Sequence, residues 1–162
     1  MQHQFVCIGV LGVLAFCCIE PAYAQDWRQK PNYGSVSLKG GFTPDPYVKR
    51  LTAGGSIKTK TGGISAYVSV KPDLNLRYTK GNFKYIYIYA KSSTDITLLV
   101  NLPSTKYVAN DDGGQAYKIG LRNPVIKLPA RDGLYNIWVG VYGGAGKKTA
   151  PSPLYISEVL PK

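Results

Sequence analysis

The chain has 162 residues, 44% of them apolar, with 20 bases against 9 acids and a net charge of +11. That is the length of one domain able to build its own core. Its three cysteines and its one histidine lie within the first 18 residues, so a chain processed beyond them has neither thiol nor imidazole, which excludes Cys–His and Ser–His catalysis and the usual zinc and copper ligands.

Residues 5–19 are almost wholly apolar and run into Ala22-Tyr23-Ala24. The apolar run falls short of the about 20 residues that cross a bilayer. The pattern predicts a secretory signal over residues 1–24, with cleavage before Gln25, and hence a periplasmic or secreted protein with no membrane span. No Lys or Arg precedes the run, and an uncleaved anchor is the alternative. Cleavage removes Glu20 and no base, leaving eight acids against 20 bases. Such a field draws anionic partners: a lipopolysaccharide or phospholipid surface, an acidic glycan, or an acidic exported protein. The bases are scattered, with no run of five or six, so no basic tail is present and nucleic acid is not expected as a partner. Charge that only keeps an exported chain soluble is the plain alternative.

Residues 25–34 read as an irregular lead-in and 35–162 as one β-sandwich domain. Glycine and proline recur from Gly40-Gly41 to Pro153, with short β-branched and aromatic runs between them. That rhythm predicts an all-β fold, an antiparallel sandwich or small barrel. Strands are expected over 35–38, 64–70, 74–78, 85–90, 97–101, 135–142 and 154–159. The strands over 85–90 and 97–101 are expected to be neighbours joined through Ser92-Ser93-Thr94-Asp95. The last strand is expected to pair with an early one.

Period two across 83–90 puts Phe83, Tyr85, Tyr87 and Tyr89 on one face and Ile86, Ile88 and Ala90 on the other. With the isoleucines inward, Tyr85, Tyr87 and Tyr89 form an outward ladder able to stack on sugar rings. Packing under a neighbouring strand or a covering loop is the reading that tyrosine's general strand propensity favours. In the strand over 135–142, Tyr135, Ile137, Val139 and Val141 share one face and Asn136, Trp138 and Tyr142 the other. Trp138 is therefore a further candidate for binding.

Asn110-Asp111-Asp112-Gly113-Gly114 is the sharpest local motif. Two carboxylates and an amide beside flexible glycines suit a hard cation such as calcium. The same string is also an ordinary turn former, and no glutamate follows at the spacing of an EF-hand. Asp45 and Asp73, both in turn contexts, could approach the same place.

Three pieces between Thr97 and Val141 stand in order: Asn110–Gly114, then Asn123-Pro124-Val125-Ile126, then Pro129 with Gly133-Leu134-Tyr135-Asn136-Ile137-Trp138-Val139. Together they resemble the bacterial pre-peptidase C-terminal domain, over about a third of the processed chain. The resemblance implies a jelly-roll-like β-sandwich that accompanies secreted proteases, with calcium or matrix-protein binding in some relatives. Carried over, it makes Asp111, Asp112 and Asn110 the ion-facing residues. No protease domain precedes the module here, so a stand-alone role or action in trans is expected.

No phosphate-cradling loop or dinucleotide fingerprint occurs. Paired-carboxylate chemistry has little to work with, since Asp111 and Asp112 are adjacent and in a strand would face opposite ways. The chain reads as a non-catalytic exported binding module, calcium its only candidate cofactor, that recognises an anionic surface, glycan or protein. An accessory or inhibitor protein acting in trans on a secreted hydrolase is the alternative.

Overall fold

The computed structural model describes residues 25–146 and 148–161. The leader expected over residues 1–24 lies outside them. Two sheets pack face to face. The first holds β1 (Ser35–Lys39), β3 (Ile57–Thr59), β4 (Ala66–Val68), β5 (Leu74–Thr79), β7 (Ile96–Asn101), β8 (Tyr107–Asn110) and β10 (Gly133–Tyr142). The second runs β2 (Tyr47–Gly54), β11 (Thr149–Ser157), β6 (Tyr85–Ala90), β9 (Val125–Pro129). The all-β, jelly-roll-like sandwich expected from the sequence is the fold observed, and β1 with β5 is the one parallel pair among the described strands.

The long strand β10 organises the first sheet. Residues 136–141 pair with β7 along one edge. Along the other edge β10 changes partner: residues 133–137 pair with β5 and Val141-Tyr142 with β4. In the gap, the Asp73 carboxylate accepts the Val139 N–H at 2.8 Å, replacing a strand's carbonyl.

Between the sheets, alternate residues of both meet in one core. Ile86, Ile88 and Ala90 of β6 and Leu154 and Ile156 of β11 face Leu74, Leu76, Ile96, Leu98, Val100, Ile137 and Val139. Period two thus set the inward faces of β6 and β10 as expected. The link between β6 and β7 corrects another expectation. The two strands lie in opposite sheets, because the Ser92 N–H bonds to Asn123 Oδ1 at 2.9 Å and the Ile96 N–H to the Arg122 carbonyl, carrying the chain across the core. β11 pairs with the early strand β2, as expected.

Each outer face is partly roofed. On the first sheet, Trp138, Leu99, Ala66, Val68, Ile57 and Ile64 form a second apolar cluster, with Trp27 from the lead-in packed against it. On the second sheet, Tyr87, Tyr89, Val125 and Ile119 form a third, flanked by Tyr85, Tyr117 and Tyr155. The roof there is the 3-10 turn Gly113–Tyr117 and the residues that follow it.

Candidate functional site

The outer face of the second sheet carries the strongest concentration of aromatic and basic side chains. Along β6, Tyr85, Tyr87 and Tyr89 stand opposite Pro129, Lys127 and Val125 of β9. On the other side Tyr89 faces Tyr155 of β11, and the two rings stack at 4.7 Å with 5° between planes. Lys127 Nζ sits 4.0 Å from the Tyr85 ring centre and 5.9 Å from that of Tyr87. Lys84 Nζ lies 5.4 Å from the Tyr85 ring, and Lys91 Nζ 5.5 Å from that of Tyr155. Each contact holds an ammonium against a ring's negative face, worth about 0.5–1 kcal/mol where solvent reaches it. The result is a row of positive charges along one face of the sheet.

A covering loop buries two of the three rings, as strand propensity favoured, and removes Tyr87 and Tyr89 as exposed binding residues. Tyr87 is 5% exposed and Tyr89 3%, because Tyr117 meets Tyr87 edge-on at 6.0 Å and Ile119 covers the pair. Burial, followed by Tyr155 and Asp45, pushes the Tyr89 hydroxyl up to about 12. Only Tyr85 keeps partial exposure among the three. Trp138 is corrected outright. It is 0% exposed, beneath Tyr107 at 6.1 Å and within the cluster that Trp27 flanks.

The acidic loop is the roof's own foundation. Asn110 Oδ1 accepts the N–H of Gly113 and that of Val125, each at 2.9 Å. Its oxygen ties the loop to the start of β9, so Asn110 is a staple rather than an ion-facing group. A Cβ at Gly114 would lie 2.2 Å from the Gly120 carbonyl oxygen, which explains that glycine by packing. Asp112 is exposed, and Asp111 is half-buried with Oδ1 shielded and unpartnered. Asp95, from the link between the sheets, likewise has a shielded, unpartnered Oδ1. Desolvation and then repulsion from Asp112 raise both Asp95 and Asp111 above the usual carboxylate range, and Asp95 repels Asp111 further. These hard oxygens suit calcium in kind, yet no three acidic, histidine or cysteine side chains among the described residues lie close enough together to hold a metal. Sequence reasoning missed Asp95, whose place beside the loop follows only from the crossing of the β6–β7 link.

Asp45 and Asp73 do not join that place. Asp45 Oδ2 accepts the Glu158 N–H at 3.1 Å. Asp73 is 1% exposed; besides Val139 it accepts from Asn32 Nδ2 and Ser69 Oγ, each at 3.3 Å. Desolvation outweighs those bonds and raises it to about 7. Glu158, also buried, accepts from the Tyr78 hydroxyl and the Gly41 N–H. All three carboxylates hold backbone or strand edges, though Asp45 Oδ1 is shielded and unpartnered.

No helix among the described residues is long and apolar enough to cross a membrane. No family model matches the chain, and no curated protein does. Among solved structures the chain is similar to PliG of Aeromonas hydrophila, described as a periplasmic lysozyme inhibitor of g-type lysozyme, at 16% identity and a TM-score of 0.33, over 76% of this chain and 96% of that one. A likeness of that size bears on neither fold nor function.

Proposed function

We propose that this chain is an exported, non-catalytic binding protein that recognises an anionic partner through the lysine–tyrosine face of its second sheet. One observation carries the reading. Lys84, Lys127 and Lys91 are ranged over Tyr85, Tyr87 and Tyr155 on one rigid surface, in a chain of net charge +11. Clustered on one face, these cations set up a field that speeds the encounter with an anionic partner. Reading the sandwich as a relative of the pre-peptidase C-terminal module accords with the same use.

Heparin-agarose serves as a polyanion to test it. The Lys84→Glu/Lys127→Glu variant is expected to elute at clearly lower salt than the charge-matched Lys39→Glu/Lys58→Glu variant of the other sheet. Equal elution of the two would show that only net charge matters and would remove the face. The accessory or inhibitor reading, with an exported hydrolase as partner, is favoured by an apolar groove that adjoins the face.

A further inference from the structure

A groove of about 570 Å³ opens at the end of the sandwich where the β7–β8 hairpin, the end of β9 and the start of β10 meet. Leu102, Pro103, Leu128, Pro129 and Tyr135 line it with apolar surface. Lys106, Arg131 and Asp132, all exposed, supply its charged rim. The Asp132 carboxylate accepts the Lys80 backbone N–H and keeps its charge, so the rim's two bases against one acid leave it net positive. Both walls are held. The Leu102 N–H bonds to the Lys106 carbonyl at 2.9 Å across the hairpin, and the Tyr135 hydroxyl donates to the Arg131 carbonyl at 2.8 Å. Pro129 belongs to the groove and also stands opposite Tyr85 in the sheet. The groove therefore continues into the lysine–tyrosine face.

From that continuity we infer that the groove receives an apolar side chain of an extended acidic segment of a protein partner. The segment's carboxylates meet Lys106 and Arg131 and run on to Lys127 and Lys84. A sulfated or carboxylated polysaccharide would satisfy the cations but bring no apolar group to cover the floor, and uncovered apolar surface yields nothing on binding. This names the partner class for the face proposed above and rests on that reading.

Two fluorescein-labelled peptides of Asp and Glu, differing only in a central Phe or Ser, test it by anisotropy. Ser104, exposed at the hairpin tip and lining the groove, allows a plug: Ser104→Trp fills the groove from outside the core. The Phe peptide is expected to bind wild type at least tenfold more tightly than the Ser peptide. Ser104→Trp is expected to abolish that preference, and Lys84→Glu/Lys127→Glu to weaken both peptides. Equal binding of the two peptides to wild type overturns the groove, as does an undiminished preference in Ser104→Trp. If equal binding is nevertheless lost in the lysine variant, the face stands without the groove. If the lysine variant binds both peptides as wild type does, the face falls instead. Binding of a heparin hexasaccharide but of neither peptide makes the partner a glycan and overturns the inference. So does a dimer, seen by sedimentation of the protein alone, that Ser104→Trp abolishes.

Discussion

Asp73 shows how a single carboxyl group can be both indispensable and costly. Its oxygen completes β10 where the strand changes partner, yet burial raises its pKa to about 7. The folded state thus holds the proton more firmly than the unfolded chain, where an aspartic acid titrates near 3.9. The stability linked to that proton is whole below about pH 4 and is lost as pH rises through 7, a change on the order of a few kcal/mol. In Asp73→Asn an amide oxygen can still accept from Val139 and nothing titrates. Urea midpoints from pH 4.5 to 8 should therefore show wild type losing stability relative to the variant; parallel profiles would dismiss the buried acid as the cause. Asp95 and Asp111 pose a separate test. If their unpartnered oxygens take calcium, the melting temperature rises with calcium in wild type but not in Asp95→Asn/Asp111→Asn. Free ion at 100 times its dissociation constant adds about 2.7 kcal/mol. An unmoved melting temperature in wild type would leave the pair as mutually repelling surface acids.

The segment over residues 110–119 acts as a roof, and Asn110 pins it. Asn110→Ala strands the N–H groups of Gly113 and Val125, at about 1–3 kcal/mol for each that stays shielded from water. The expected result is a lower urea midpoint together with altered near-ultraviolet dichroism from Tyr87 and Tyr117. A lower midpoint with an unchanged aromatic spectrum would mean that the turn does not order the rings. Other elements were plainer from sequence. β6 has the bounds its period-two alternation predicts, because tyrosine and isoleucine mark its two faces without interruption. β2 was not anticipated, since Lys49 and Arg50 break its apolar rhythm; an edge strand can carry charge that an inner strand cannot. β9 escaped notice because it ends in Pro129, which a strand end tolerates. The outward turn of the tyrosines was readable, and so was their packing under a cover, but not which segment covers them. That depends on Tyr117 and Ile119 folding back from far along the chain, and no local pattern encodes it. The groove was unreadable for the same reason, its walls coming from three separate elements.

At the scale of the whole molecule, excess positive charge is spread over a scaffold without cysteine after residue 18. If the leader is removed as proposed, the intact mass of protein recovered from culture should match residues 25–162, and its melting temperature should be indifferent to dithiothreitol. A retained amino terminus, or a melting temperature that falls on reduction, would contradict the exported form. The order β2, β11, β6, β9 in the second sheet has a temporal consequence. The strand of this sheet that comes last in the sequence is an interior one, flanked on both sides. Until β11 is in place β2 has no partner in that sheet, so a chain in which β11 is still unfolded stays slack there, in the state an export channel can thread.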